Sequence, residues 1–264
     1  EDIEIYAFSF EFERKRSSYV KSSNIISVDN SEAGNFDYSK IDVLINCAFP
    51  RNVNDESFAN GLNFIRDVIV KASRDGVGSI INISSQSVYD QKRKNSANEN
   101  SPIVLESKYA VGKYGIELLV NALCKNIRHT NIRMASLIGA GFNQRITNKF
   151  AMKIIKNEQI NITGGSQLFG FLDVRDAAFG IIAIAKSNKK WAEVYNLGTN
   201  EAYLLKDIAE LAVSVGISYG YKAAEISVAS SGDWQNSSLD SSLFCNEFSW
   251  NPKFTIKDTL HSIY

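Results

Sequence analysis

Histidine is almost absent from this chain of 264 residues. Only His129 and His261 occur, and neither stands near a cysteine or carboxylate cluster at metal-ligand spacing. A zinc site and a serine–histidine hydrolase both lack support, so no metal is expected. Cysteine is scarce too: Cys47, Cys124 and Cys245 are odd in number, scattered and outside any CxxC pair. That excludes a disulfide framework and reads as reduced thiols in a cytoplasmic protein, with Cys47 and Cys124 as small core residues. No sign of charge dominates, because 29 Lys plus Arg offset 29 Asp plus Glu. The balance leaves no electrostatic footprint for nucleic acid or an anionic membrane. No uncharged run approaches the roughly 18 residues of a membrane span, and no basic segment leads into an apolar signal core. Glycine is missing from the front, where the first is Gly34 and the next Gly61.

What is present is a globular pattern, 44% hydrophobic and 22% charged. At about 150 residues per domain the length allows one large or two modest domains with a sizeable core. Runs rich in Ile and Val predict strands at 3–8, 25–28, 41–48, 79–84 and 132–139. Apolar residues at helical spacing predict helices over 57–73 and 108–127. Short apolar strands alternating with helices indicate a parallel sheet covered on both faces. After about residue 140 helices at 146–156, 174–185 and 206–215 mix with short strands at 160–163, 194–197 and 225–228, with turn signals at Gly164-Gly165 and Gly232-Asp233. This half reads as a smaller substrate-facing lobe, giving a division at 1–140 and 141–264 with some later segments returning to the sheet. The basic run Lys92-Arg93-Lys94 reads as a solvated loop face.

The sharpest local feature is Ser84-Ser85-Gln86-Ser87-Val88-Tyr89, which closes the fourth predicted strand where open parallel sheets bind ligands. Further on, Tyr109 and Lys113 lie four residues apart and share one helix face. A phenol with a pKa of about 10 is a poor base, but a nearby ammonium favours the phenolate. Tyr109 could then exchange a proton with a hydroxyl or carbonyl, while Ser85 hydrogen-bonds the same oxygen. Alone, a Tyr–Lys pair is usually a half-buried aromatic beside a solvated cation. Preceded by this strand end inside a βαβ pattern, it points to chemistry.

With these motifs the sequence resembles the extended short-chain dehydrogenases/reductases, the NAD-dependent epimerase/dehydratase group that includes nucleotide-sugar epimerases, dehydratases and keto-sugar reductases. The resemblance runs through Asp42–Ala48, Ile81–Tyr89, the loop from Asn98-Glu99 to Ser107-Lys108-Tyr109, Arg133–Gly141, Ile162–Gly165, Phe171–Asp176, Tyr195–Gly198 and Phe248–Pro252 in the family's order. It implies a Rossmann-like doubly wound parallel sheet with a smaller C-terminal α/β substrate lobe. It also implies Tyr109 as general acid/base, Lys113 binding the nicotinamide ribose and lowering the tyrosine's pKa, and Ser85 orienting the reacting oxygen. NAD or NADP would meet Ser9, Asp29, Asn30, Cys47, Ala48, Phe49, Ser84, Tyr109 and Lys113. A nucleotide-sugar or other small carbonyl or hydroxyl substrate would meet Gln86, Ser87, Asn143, Arg145 and Arg175. A homodimer through the helices at 57–73 and 108–127 is implied as well.

Departures from the family narrow this reading. Sugar dehydratases resemble one another in placing Asp and Glu straight after the catalytic threonine; here Gln86 and Ser87 stand there, and neither titrates usefully. An arginine often found before the family's Phe-x-x-Val-x-Asp segment is replaced by Gln167-Leu-Phe-Gly-Phe171, leaving Arg145, Arg175 or Lys149 to meet substrate phosphates. The family's GxxGxxG turn, which lets backbone N–H groups approach the pyrophosphate, has no counterpart before Gly34. The resemblance places 4–8 on the family's second strand and 25–29 on its third. A first strand, glycine turn and helix of about 30 residues are therefore expected upstream of Glu1. After Phe8, Ser9 with Arg14 or Arg16 leans towards NADP, although a charged exposed loop explains the same residues. The reading is an NAD(P)-dependent nucleotide-sugar epimerase. The alternatives are a keto-sugar or carbonyl reductase and a non-catalytic dinucleotide-binding sensor or scaffold.

Overall fold

The computed structural model describes residues 3–9, 25–229 and 234–264. Its first elements are strands β1 (Ile5–Ser9) and β2 (Ile25–Asp29), which pair in parallel as a sheet of their own. Next come β3 (Leu44–Asn46), helix α1 (Asp55–Asp75), β4 (Ser79–Ser85), α2 (Lys108–Leu123) and β5 (Arg128–Met134). With β10 (Val194–Leu197) these strands form a parallel sheet in the order β10-β5-β4-β3. Among the described residues neither β1 nor β2 shares a ladder with β3.

Side chains alternate across a strand, so Ile80 and Ile81 of β4 face opposite ways and each anchors a separate core. On one side Ile80 packs with Ile65, Ile69 and Ala72 of α1 and Ile116 and Val120 of α2. On the other, Ile81, Ile132 and Leu197 meet Ala177 and Ile184 of helix α4 (Val174–Ala185), together with Phe244 and Trp250. The sheet is thus covered on both faces, as the uninterrupted apolar strands require. Helix α1 begins where the Asn54 side chain accepts from the Ser57 amide and ends at Gly76 with φ of 88°.

A further core holds the rest of the chain together. It joins α3 (Ile146–Ile155), α5 (Leu205–Ser218) and α7 (Ile256–His261) through Phe150, Ile154, Ile208, Ala212 and Leu260. The parallel pair β7 (Ile160–Thr163) and β12 (Ile226–Ala229) packs on these helices, and β8 (Leu168–Phe169) pairs antiparallel with β11 (Tyr203–Leu204). The run at 132–139, read as one strand, breaks after Met134. Ala135 donates to the carbonyl of Leu197, and β6 (Ser136–Ile138) departs to pair with β9 (Phe171–Asp173).

Two side chains depart from expectation. Cys124 is buried, but Cys47 is exposed. The reason lies in β3, a three-residue strand that pairs on one side with β4 alone, so that Ile45 is exposed as well. In the basic loop Arg93 turns inward, its guanidinium donating to the carbonyls of Asp90 and Ser238, each at 2.7 Å. The Gly232-Asp233 turn, Arg14 and Arg16 lie outside the described residues.

Candidate active site

The C-terminal ends of β3, β4 and β5 open onto the place where sheets of this type take ligands. Ser85 ends β4 and caps the single 3-10 turn Gln86–Val88. Its Oγ accepts from the Ser87 amide at 3.2 Å and from the Ser87 hydroxyl at 2.9 Å. Ser85 therefore keeps its own proton to donate to a ligand. Val88 and Tyr89 are wholly buried behind the turn and fix its position.

Helix α2 starts at Ser107, whose side chain accepts from the Ala110 amide at 3.1 Å. Tyr109 consequently falls in the first turn, with Lys113 one turn further along the same face. Lys113 is 5% exposed and donates from Nζ to the carbonyl of Ile83 at 2.7 Å. Burial pushes its ammonium down to about 8, while Cys47 and Glu117 oppose that fall. Half-buried Tyr109 packs edge-on against Phe49 at 4.9 Å between centroids, and the Arg51 guanidinium lies 5.5 Å from the Tyr109 ring centre. Among the described residues the tyrosine hydroxyl has no hydrogen-bond partner. A Cβ on Gly112 would come within 2.6 Å of Phe58 and 3.0 Å of Phe49, so the glycine lets both rings approach α2.

Behind these residues runs a buried polar chain. The Ser84 hydroxyl donates to Glu117, and Glu117 pairs with Arg133 at 2.7 Å. Arg133 in turn donates to the Tyr89 hydroxyl at 3.0 Å, and that hydroxyl donates to Asn196 at 2.8 Å. Burial works against the Arg133 charge, but hydrogen bonds and attraction from Glu117 outweigh it and raise its pKa. Glu117 continues the Tyr109–Lys113 face by one more turn, and Arg133 is the one charge in the apolar run 132–139. Those two oddities were the available signals for the network, and sequence reading passed over both.

The remaining candidates are dispersed. Asp29 ends β2 and accepts from the Ser31 amide and hydroxyl, which hold its carboxyl below the ordinary range. Asn30 beside it is buried. Ser9 ends β1, and its side chain lies outside the described residues. Ala48 and Phe49 follow β3, and Ser84 is committed to Glu117. Gln86 is 9% exposed with its Oε1 lacking a partner among the described residues, and Asn143 is exposed. Arg145 heads α3, where burial lowers its pKa; Arg51 adds to that fall, while Tyr109 opposes it. Arg175 goes elsewhere: it pairs with Asp173 through two 2.8 Å contacts and stacks on Phe254 at 3.6 Å, which engages its guanidinium within the fold.

Among the described residues no group of three His, Cys, Asp or Glu could hold a metal ion. None of their helices is long and apolar enough to cross a membrane. Lys113 does fit a dinucleotide's ribose, because it is a buried cation with three N–H donors and, among the described residues, one acceptor.

Residues 8–198 match the family model described as the NAD dependent epimerase/dehydratase family. No curated protein matches the sequence. The fold is similar to that of UDP-glucuronic acid 4-epimerase from Bacillus cereus in complex with NAD, at 20% identity over 92% of this chain and 80% of that one, with a TM-score of 0.78. It is similar also to the Bordetella bronchiseptica enzyme WbmG in complex with NAD, at 20% identity over 98% and 84%, with a TM-score of 0.81. UDP-glucose 4-epimerase from Thermotoga maritima with UDP-glucose gives 18% identity over 98% and 88%, again with a TM-score of 0.81. At such identities the likeness establishes the fold.

Proposed function

The chain belongs to the NAD-dependent epimerase/dehydratase family, and from that premise we propose that it is a nucleotide-sugar epimerase acting by transient oxidation of a sugar hydroxyl. The observation that carries this reading is the placement of Tyr109 and Lys113 on one face of α2 beside the Ser85 turn, with the Tyr109 hydroxyl unpartnered among the described residues. Similar folds in complexes with NAD, UDP-glucose and UDP-glucuronic acid support a nucleotide sugar inverted at carbon 4.

In this mechanism the Tyr109 phenolate takes the proton of the sugar hydroxyl, and the Ser85 hydroxyl donates to the same oxygen and fixes its direction. Lys113, with its Nζ 6.0 Å from the Tyr109 ring centre, supplies a positive charge beside it. Bound NAD supplies a reversible two-electron oxidant. Tyr109 then returns its proton to the keto oxygen when the carbon is reduced from its other face, so cofactor and residues end as they began. Gln86 and Ser87 offer no acid or base for removing water, which disfavours dehydration. Asp29 and Asn30 at the end of β2 would hold the adenosine side, and Cys47, Ala48, Phe49, Ser84 and Lys113 the nicotinamide side. The glycine turn expected at the pyrophosphate has no counterpart before Gly34.

We read the part after residue 140 as the substrate half. Val111 and Leu118, 51% and 53% exposed on one face of α2, support a homodimer in which α1 and α2 meet their copies. Three free cysteines, two of them buried, support a reducing cytoplasmic setting. Tyr109→Phe tests the mechanism: turnover of UDP-glucose should fall about 100-fold or more while NAD binding persists. Unchanged turnover would remove Tyr109 from its role. Stoichiometric loss of reduced-nicotinamide absorbance during turnover of a keto sugar would instead mark a reductase.

A further inference from the structure

Asparagine is out of place in the middle of a buried parallel sheet, yet β3, β4 and β5 each carry one in the same row. The register sets Asn46 beside Asn82 and Asn82 beside Asn131. Their side chains form a directed chain. Asn46 Nδ2 donates to Asn82 Oδ1 at 2.9 Å, Asn82 Nδ2 to Asn131 Oδ1 at 2.8 Å, and Asn131 Nδ2 to Asn121 Oδ1 of α2 at 2.8 Å. Asn131 Nδ2 also donates to the carbonyl of Glu193 at 3.2 Å. Asn82 and Asn131 are 1% and 0% exposed. Burying an amide is costly unless its hydrogen bonds are made, so the row ties the strands and the helix to this one register.

The row ends on a helix face already in use. Tyr109, Lys113, Glu117 and Asn121 recur every fourth residue along α2, a step of about 6 Å. Alternate residues of a strand advance by about 6.6 Å, so the two spacings nearly match. Asn121 meets Asn131, Glu117 meets Arg133 two residues on, and Lys113 reaches the carbonyl of Ile83. At the other end of the row Asn46 belongs to β3, whose three residues pair with β4 alone. Backbone bonds hold this strand along one edge, and the Asn46 side chain adds a second hold that runs through the sheet to α2.

We propose that the four asparagines act as one tie, a positioning device that fixes the strand end bearing Cys47, Ala48 and Phe49 relative to the helix bearing Tyr109 and Lys113. The proposal rests on the reading of those residues as the nicotinamide side and the reacting pair, and it adds Asn46, Asn82, Asn131 and Asn121 as positioning residues. Asn121 stands about 18 Å along α2 from Tyr109, so it acts through the helix and not by contact. Reaction depends on the geometry between the two sides, and a misplacement of about 1 Å can cost about 100-fold.

The test compares the full chain as wild type, Asn46→Ala, Asn121→Ala, the double variant, Asn121→Asp and Tyr109→Phe. Turnover of UDP-glucose with saturating NAD gives kcat and KM, and urea unfolding gives stability. The two alanine variants break different hydrogen bonds, so their losses of stability should add. Their losses in kcat should not, because each severs the same tie. Each single variant should lower kcat about tenfold with KM little changed, and the double variant should go no lower than the slower single. Asn121→Asp keeps the acceptor for Asn131 and should retain kcat. Hydrogen exchange of the β3 amides should quicken about fivefold in Asn121→Ala, as loss of one hydrogen bond gives, although the substitution lies on α2. Additive losses in kcat, unchanged kcat, a kcat as low in Asn121→Asp as in Asn121→Ala, or β3 exchange that Asn121→Ala leaves unmoved would each overturn the tie, while loss of turnover in Tyr109→Phe keeps the epimerase reading in place. Turnover that Tyr109→Phe leaves unchanged, or a wild type that turns over no UDP-sugar, would overturn the epimerase reading itself, and the proposal with it.

Discussion

Lys113 carries its charge where burial opposes it, and that conflict makes the residue measurable. Its folded pKa of about 8 lies below the ordinary lysine value of about 10.4. Between these two pH values the unfolded chain holds more protons, so the lysine's contribution to stability rises with pH across that window. Thermal melts of wild type and Lys113→Met should therefore diverge below pH 8, with the variant the more stable, and draw together towards pH 10. Parallel curves would mean that Lys113 is not desolvated as described. On the proposed mechanism the same residue sets an alkaline limit on activity, since loss of its proton removes the cation that lies 6.0 Å from the Tyr109 ring centre. Arg51 lowers the Lys113 pKa, so Arg51→Ala should move the alkaline limb of the pH–kcat profile upward. A downward shift would contradict that coupling.

At the scale of elements, glycines in helices decide how closely the pieces around Tyr109 approach. Replacing glycine by alanine in a helix ordinarily gains about 1 kcal/mol. At Gly61 of α1 the new methyl would strike the rigid Pro50 ring, and overpacking of this kind costs about 1–3 kcal/mol. Gly61→Ala should thus lower the melting temperature rather than raise it; a rise would show that the β3–α1 loop is not seated on α1. Glu117→Ala should cost about 3–5 kcal/mol, because it leaves Arg133 charged and buried without its partner, and denaturant unfolding would read this directly.

Helix α4 at Val174–Ala185 and strands β7 and β10 fall where apolar periodicity predicts them, since local pattern alone selects those elements. Periodicity could not show the break after Met134, because that break depends on β6 finding β9 some thirty residues later. Nor could it bury Glu117 and Arg133, since charge in a sequence reads as surface until a partner from another element is known. Ser85, Tyr109 and Lys113 were legible because a strand end and one helical turn bring them together, whereas Arg51 gains meaning only once its loop is folded onto α2.

At the scale of the whole molecule, a parallel sheet covered on both faces places the chemistry at its C-terminal rim and gives the later residues a separate core. The exposed Val111 and Leu118 predict that the chain self-associates in solution. Sedimentation should show a dimer that Leu118→Glu dissociates, and a wild-type monomer at micromolar concentration would contradict this. The central claim is transient oxidation at one carbon, followed by return of the same hydrogen. Its most direct test is incubation of a UDP-sugar deuterated at carbon 4 with the protein and NAD in ordinary water, followed by magnetic resonance of the products. The account predicts an epimer inverted at carbon 4 that retains its deuterium, without accumulation of reduced cofactor. Inversion with loss of deuterium to water, or no inversion at all, would contradict it.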